Sequence, residues 1–349
     1  MSETALSYRP LGRTGVQVTD ICLGTMMFGW RTEEPEAIAM VDAALDAGVN
    51  FIDTANVYNE GKSETAIGKA LAPSSKRDKV VLATKFWGVM GEDPNERGSS
   101  RRHLITQCEA SLRRLGTDWI DLYQIHRPSS DIPIDETLRA LDDLIRSGKV
   151  RSIGTSSFAA WQVVESLWVS KELGLNRVVS EQPPYNVLDR RIERELVPMA
   201  QTYGIAILPW SPLAQGFLTG KYRLGDAAPS GSRFEDPVIG ESWANFRFTE
   251  ANPGIYDDAA HDVLDVVEAL AQEKGATPSQ VALAWTTAQP GITSVIIGPR
   301  TTEQLLDNVS AAAVEITAED CERLDAVAAP GRAVLPYWIA DFGPHLHRW

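Results

Sequence analysis

Polar side chains of four chemical types lie at the end of three successive apolar runs of the chain or shortly after one of them. They are the carboxylate, phenol, amine and imidazole of Asp53, Tyr58, Lys85 and His126. A single charged residue after an apolar run carries little information, because loops are solvated. Four chemically compatible groups after consecutive runs instead predict one shared chemical site.

The chemistry that suits these groups is carbonyl reduction, in which carbon receives a hydride and the developing alkoxide receives a proton. A free tyrosine has a pKa of about 10, too high for efficient acid–base work near neutral pH. A nearby ammonium lowers the pKa of a phenol, and we expect Lys85 to supply that ammonium. Asp53 would pair with Lys85, and His126 would hydrogen-bond the substrate oxygen. Tyr58 is then the expected general acid, or the base when an alcohol is oxidised.

The elements that must position these groups repeat along the chain: a short Val/Ile/Leu-rich run, a loop and a helical pattern. Short continuous apolar runs are typical of strands that are buried on both faces. The predicted strands are Ile21–Gly24, Asn50–Asp53, Val80–Lys85, Ile120–His126, Arg151–Ser156, Val178–Gln182, Ile205–Trp210 and Ser294–Gly298.

Amphipathic helical patterns fill the intervals, and most of them are followed by a glycine, which tolerates the positive φ of a helix C-cap. The predicted helices are Pro35–Ala47, Ser63–Leu71, Arg101–Leu115, Asp135–Ser147, Trp161–Leu173, Ile192–Tyr203, Ala259–Lys274 and Thr277–Ala288.

Strands that alternate with helices pair in parallel through right-handed crossovers. Eight such units predict an α/β fold of the (β/α)8 TIM-barrel type, whose active site lies at the carboxyl ends of the strands. A doubly wound sheet is the alternative fold. It is disfavoured because no G-x-G-x-x-G follows any apolar run, as a Rossmann dinucleotide site normally requires.

Two segments depart from this rhythm. The turn Leu11–Gly15 predicts an N-terminal β-hairpin, and the long segment Ser211–Tyr256 after strand 7 predicts a functional loop. The chain contains no linker or low-complexity stretch, so we expect a single domain over residues 1–349.

Composition limits the partners of the protein. The 349 residues carry a net charge of −14, which repels nucleic acid and anionic membrane. The three cysteines show no pairing pattern and predict reduced thiols in a cytoplasmic protein. We expect neither a signal peptide, since Met1–Leu6 lacks a basic region followed by an apolar run, nor a membrane-spanning helix, since no stretch reaches about 18 consecutive apolar residues. No metal site is expected, a small carbonyl compound is the expected partner, and a monomer is the default, with a homo-oligomer left open.

Six segments closely resemble, in order, the motifs of the aldo-keto reductases. They are Leu23–Met26, Gly48–Tyr58, Asp121–His126, Gln182–Asn186, Trp210–Leu213 and Gly298–Thr301. This resemblance implies a (β/α)8 barrel, a catalytic tetrad matching Asp53, Tyr58, Lys85 and His126, and NADPH bound in extended form without a Rossmann domain.

The resemblance also places the nicotinamide end of the cofactor. Trp210 would stack on the nicotinamide ring, and Ser156 and Gln182 would hydrogen-bond its carboxamide. The family usually has Ser-Asn where this chain has Ser156-Ser157, so the role of Ser157 is left open. Further cofactor candidates from the motif segments are Thr25, Met26, Asp53, Ser211, Leu213 and Gly298, and Gln215 is a candidate from the segment Leu213–Lys221 at the start of the long loop.

Cationic residues predict where the cofactor phosphates lie. Lys221 and Arg233 are candidates in the long loop. The segment ending at Lys221 is not a P-loop, because Tyr222 stands where Ser or Thr would bind Mg²⁺. Arg300 precedes Thr301–Gln304, which has the form of a capping box, and a helix N-terminus beside an arginine suits the adenosine 2′-phosphate.

That arrangement favours NADPH over NADH. The polar side chains of Gln304 and Asn308, farther along the same predicted helix, would contact the adenine.

For the substrate, we expect a pocket formed by Tyr58, His126 and the aromatic residues Trp30 and Trp87. One alternative function is a regulatory member of the same fold, similar to potassium-channel β subunits. Those proteins usually have Asn at the position of His126, so His126 favours catalysis. A barrel isomerase or lyase without nicotinamide is a second alternative, which leaves Trp210 and Arg300 without a role.

Overall fold

A computed structural model describes residues 6–72, 74–222, 229–230, 232 and 258–334. Arg233 lies outside the described residues. The chain forms an N-terminal hairpin and an eight-stranded parallel sheet with helices between the strands, which confirms the predicted barrel. The hairpin consists of β1 (Tyr8–Pro10) and β2 (Gln17–Thr19), paired antiparallel.

The strands of the sheet follow chain order, except that the last strand lies beside the first. They are β3 (Ile21–Gly24), β4 (Phe51–Asp53), β5 (Val81–Phe86), β6 (Ile120–Ile125), β7 (Val150–Ser156), β8 (Val178–Gln182), β9 (Ala206–Ile207) and β10 (Val295–Ile297).

Helices cover the outside of the sheet. Those described are α1 (Glu34–Asp46), α2 (Lys62–Leu71), α3 (Ser74–Arg77), α4 (Arg101–Leu115), α5 (Ile134–Arg146), α6 (Ala160–Leu173), α7 (Leu196–Tyr203), α8 (Asp258–Lys274), α9 (Pro278–Ala288), α10 (Thr302–Val309) and α11 (Ala318–Val327). Among the described residues, no helix is both long and apolar enough to cross a membrane.

Strand 7 is shorter than the predicted Ile205–Trp210, because regular pairing in β9 ends at Ile207. Pro209 has no N–H to donate to a ladder. The chain nevertheless continues along the rim, where the Trp210 N–H donates to the Pro183 carbonyl at 2.9 Å. Contacts from the Ile296 N–H to the Pro209 carbonyl, at 2.8 Å, close the sheet into a barrel.

Alternation along the strands decides which side chains enter the barrel. Successive residues of a strand point to opposite faces. Apolar side chains including Phe51, Ala83 and Leu122 pack together inside the sheet, and two positions further along the same strands stand Asp53, Lys85 and Gln124. The same period therefore aims these three polar side chains inward, at the carboxyl end of the barrel.

The hairpin packs against the barrel interior. Leu11, between its strands, and Val18, in β2, belong to the same apolar cluster as Phe51. This packing covers the amino-terminal end of the barrel with apolar side chains. The opposite end carries the polar groups.

Candidate active site

Lys85 is the centre of the polar group at the carboxyl end of the barrel. Its ammonium donates to Asp53 Oδ2, to the Thr54 carbonyl at 2.9 Å and to Tyr58 Oη at 3.2 Å. Both members of the Lys85–Asp53 ion pair are buried. The predicted pairing of ammonium with carboxylate and phenol is thus present in the geometry.

Asp53 is also held through its second carboxylate oxygen. Gln124 Nε2 donates to Asp53 Oδ1 at 3.0 Å, and Gln182 Nε2 donates to the same oxygen at 2.9 Å. Gln124 was not among the predicted site residues, although its position two residues after Leu122 in a strand pattern signals an inward-facing amide. Since the amide nitrogen of Gln182 is committed to Asp53, only its carbonyl oxygen is left to accept from a cofactor carboxamide.

Tyr58 reaches this group because the chain turns sharply after it. Asn59 and Glu60 both have left-handed backbone angles, with φ of 51° and 58°. Asparagine adopts this conformation more readily than most residues. The Asn59 side chain fixes the turn by donating to the Phe28 carbonyl at 2.7 Å and the Met26 carbonyl at 3.0 Å.

His126 lies beside the phenol. The rings of Tyr58 and His126 are edge-to-face, with centroids 5.8 Å apart. Burial lowers the pKa of His126 well below its ordinary value, and the cations Lys85 and Arg127 lower it further. The imidazole is therefore neutral at pH 7, so it can donate a hydrogen bond from one ring nitrogen without carrying charge.

The ammonium of Lys85 keeps its proton. Burial alone lowers the pKa of a lysine, but the adjacent Asp53 carboxylate and Tyr58 hydroxyl outweigh it and raise the pKa of Lys85. A permanent positive charge therefore stands 3.2 Å from the phenol oxygen.

A cavity of about 580 Å³ opens above this group. A volume in this range is typical of small-molecule and cofactor sites. The predicted site residues that line it are Thr25, Met26, Asp53, Tyr58, His126, Ser156, Gln182, Trp210, Ser211, Leu213, Gln215, Lys221, Gly298, Arg300, Gln304 and Asn308. Lys85 lies behind Asp53 and Tyr58.

Trp30 and Trp87, the other two predicted substrate residues, do not line this cavity, and their contact with a substrate stays a prediction. The Trp87 indole donates to Ser129 Oγ at 3.0 Å, and the Trp30 ring lies 5.6 Å from the guanidinium carbon of Arg31. Within the described residues, the wall around Tyr58 is instead completed by Met27 and Arg127.

The far end of the cavity carries the predicted phosphate-binding residues. Lys221 lies against Gly216, where a Cβ would meet its Nζ at 2.7 Å. Arg300 stands at the start of α10, and burial followed by the like charge of Arg31 lowers its pKa. Arg31 was not among the predicted site residues. Two guanidinium groups that repel one another favour an anion between or beside them.

The capping prediction for α10 is half correct. Thr301 Oγ1 accepts from the Gln304 N–H at 3.2 Å, as an N-cap does. The Gln304 side chain, however, accepts from the Arg300 N–H at 2.9 Å rather than from Thr301. The glutamine reaches one residue farther back, and so it fixes the backbone of Arg300.

Metal ligands and disulfides are absent from the described parts of the chain. No group of three or more His, Cys, Asp or Glu side chains there could hold a metal ion. The three cysteines Cys22, Cys108 and Cys321 are free.

A sequence model of the Aldo/keto reductase family matches residues 20–329, nearly the whole chain. The chain belongs to the aldo/keto reductase family. Members of this family act on small carbonyl compounds with a nicotinamide dinucleotide.

Relatives at similar identity carry different names. An uncharacterized oxidoreductase, YrpG, of Bacillus subtilis is 38% identical, covering 93% of this chain and 97% of its own. A probable voltage-gated potassium channel subunit beta of Oryza sativa subsp. japonica is 37% identical, covering 92% and 96%. Versiconal hemiacetal acetate reductase of Aspergillus parasiticus is 33% identical, covering 95% and 99%. The reductase and oxidoreductase among these relatives support an oxidoreductase activity for this aldo/keto reductase.

Proposed function

We propose that this protein uses NADPH to reduce an aldehyde or ketone to an alcohol, with Tyr58 as the proton donor. The observation that carries the proposal is the double contact of Lys85, whose ammonium donates to both the Asp53 carboxylate and the Tyr58 hydroxyl. A buried ammonium favours the phenolate that remains after the phenol has given up its proton.

Each of the four side chains has a distinct part in this proposal. The bound cofactor supplies the hydride. Neutral His126 donates a hydrogen bond to the carbonyl oxygen and directs it towards Tyr58 Oη, which transfers its proton to that oxygen. Lys85 stabilises the resulting phenolate, and Asp53 keeps Lys85 charged and in place.

The residues around the cavity fit a nicotinamide dinucleotide. Trp210 offers an aromatic face, and the Gln182 carbonyl oxygen and Ser156 hydroxyl are suited to hold a carboxamide. At Gly298 a Cβ would have no atom within 4 Å, so the backbone there leaves space for a ligand.

Lys221 and Arg300 would hold the cofactor phosphates, and Arg300 would bind the 2′-phosphate. Gln304 and Asn308 would contact the adenine.

The cellular setting is also part of the proposal. Three free cysteines suit the reducing cytoplasm, and the net charge of −14 disfavours nucleic acid and anionic lipid as partners. We therefore propose a cytoplasmic enzyme whose main partners are its cofactor and a small carbonyl compound.

The test is a turnover assay with the purified chain. NADPH oxidation is followed by absorbance against a panel of aldehydes and ketones, with Tyr58→Phe as the blank. Substrate-dependent oxidation by the wild type and its loss in the variant would support the proposal. Equal rates in the two proteins, or no oxidation with any carbonyl although NADPH binds, would reject it.

A regulatory role is the second candidate, favoured by the relatives whose names describe potassium channel subunits. A subunit of that kind would bind a membrane-protein partner and show little turnover. Affinity capture and NADPH turnover measured on the same sample separate the two roles, since an enzyme turns over without the captured partner.

A further inference from the structure

Arg127 follows His126 in the chain and lines the cavity beside it. Its guanidinium is placed by two contacts: Nη1 donates to Ser157 Oγ, and the guanidinium carbon lies 5.7 Å from the Trp210 ring centroid. Arg127 was not among the predicted site residues. It lines the same cavity as Tyr58 and His126, so it places a guanidinium near the proposed reacting groups.

The charge of Arg127 has no counter-ion in the described parts of the chain, where its hydrogen-bonding partner is the neutral Ser157 hydroxyl. Lys85, by contrast, is paired with Asp53. Arg127 interacts favourably with Tyr58 and Glu181, yet burial outweighs both and lowers its pKa. A guanidinium nonetheless stays protonated at neutral pH, because its ordinary pKa is above 12.

Glu181 is the carboxyl group that could neutralise this charge, but it is fully buried. Its Oε1 accepts from the Phe158 N–H at 3.0 Å, and its Oε2 is buried with no hydrogen-bonding partner. Burial raises the pKa of Glu181 to about 8. Its hydrogen bonds and the charge of Arg127 act in the opposite direction, but burial has the larger effect. At neutral pH the group is therefore mainly the uncharged acid, and the cavity wall at Arg127 is net positive.

A partly desolvated guanidinium binds a carboxylate well. Its planar fork of N–H donors matches the two carboxylate oxygens, and only one donor is used by Ser157. The phosphates of the cofactor are proposed to lie at the other end of the cavity, at Lys221 and Arg300. The reacting end therefore has a cation available for an anion that belongs to the substrate.

We propose that Arg127 binds a carboxylate of the substrate, so that this enzyme favours aldehydes or ketones that carry a carboxylate close to the reacting carbonyl. The inference rests on the proposed function, because it names the substrate class of the same site. Arg127 would act as a specificity-determining residue, while Tyr58 and His126 handle the carbonyl.

The experiment compares carboxybenzaldehydes with nitrobenzaldehydes, substituted at the 2, 3 and 4 positions. The nitro group resembles a carboxylate in shape but is neutral. For the wild type we expect a higher kcat/KM with at least one carboxy isomer than with its nitro counterpart. Arg127→Met should lower kcat/KM for that isomer by roughly ten- to a hundredfold, the value of a charge-assisted hydrogen bond. The same variant should change kcat/KM for the nitro compounds little.

Two further variants sharpen the comparison. Arg127→Lys keeps the charge without the fork and should retain part of the preference. Arg101→Met removes an exposed arginine that pairs with Asp143 on the outside of the barrel, and it should leave the preference unchanged. NADPH affinity, from tryptophan fluorescence, should be the same in all four proteins.

Three results would overturn the inference. The first is that the wild type shows no preference for any carboxy isomer. The second is that Arg127→Met lowers kcat/KM equally for the carboxy and the nitro compounds. The third is that Arg127→Met weakens NADPH binding instead. If the wild type oxidises NADPH with neither series and with no other aldehyde or ketone of the panel, the proposed reduction fails separately. Calorimetric binding of the same compounds to the NADPH-bound protein then decides about Arg127, and equal affinity of wild type and Arg127→Met for the carboxy isomers would reject it.

Discussion

Lys85 and Asp53 form an ion pair whose side chains are 0% and 3% exposed. Asp53 is also the acceptor for two glutamine side chains, whereas Lys85 also donates to Tyr58. Removing one member of a buried pair leaves an uncompensated charge in a region of low polarity, which is more damaging than removing both. The pair should therefore support the stability of the barrel as well as the position of the ammonium beside Tyr58.

Lys85→Met should abolish carbonyl reduction and lower the free energy of unfolding by about 3–5 kcal/mol, because Asp53 is left as an unpaired buried carboxylate. Urea unfolding followed by tryptophan fluorescence measures the second effect. The double variant Asp53→Asn, Lys85→Met should be more stable than Lys85→Met while staying inactive. A double variant less stable than the single one would contradict this account of the pair.

Tyr58→Phe should reduce kcat by roughly 10²- to 10⁴-fold, the usual contribution of a general acid. Stability and NADPH affinity should change little, since the hydroxyl makes one contact, of 3.2 Å, with Lys85 in the described structure. Steady-state kinetics and a fluorescence titration with NADPH measure the two effects. Tyr203→Phe, at an exposed tyrosine on α7, is the matched control. Substantial turnover in Tyr58→Phe would assign the proton donor elsewhere.

Arg300→Ala should weaken NADPH binding roughly tenfold or more, and NADH binding far less, because the guanidinium is proposed to contact the 2′-phosphate that only NADPH carries. Dissociation constants for both cofactors, measured in the same buffer, give the ratio. Arg323→Ala, which removes a partly exposed arginine paired with Glu273, should leave that ratio unchanged. Equal losses for both cofactors would place the 2′-phosphate away from Arg300.

Glu181→Gln should stabilise the protein at neutral and alkaline pH. The folded pKa of Glu181 is raised to about 8, whereas an unfolded glutamate titrates near 4.3. Between those values the folded state holds a proton that the unfolded state has lost, so this group makes the protein less stable as pH rises. Glutamine has the same shape and no charge.

Urea unfolding at pH 5, 7 and 9 should therefore show a higher free energy of unfolding for Glu181→Gln than for the wild type. This difference should grow with pH, to on the order of a few kcal/mol. Glu172→Gln, at an exposed glutamate on α6, should show no such trend. A gain that is independent of pH would mean that Glu181 is not forced to stay protonated by the fold.

The barrel and most of its rim could be predicted because their signals are local. Alternation in short apolar runs marked the strands, and glycine after helical patterns marked helix ends such as Gly116 after α4. Asp53 and Lys85 were found because they lie at the ends of such runs. A pattern of period two also fixes their facing, since each lies two positions after an interior apolar residue.

Only the tertiary structure decided which distant parts of the chain come into contact and how burial shifts the pKa of buried groups. Gln182 donates to Asp53 across 129 positions, and no local pattern pairs them. The Trp87 indole donates to Ser129 Oγ, and Trp87 does not line the main cavity. The raised pKa of Glu181 follows from desolvation. Desolvation depends on everything packed around a group, whereas the sequence specifies only its neighbours along the chain.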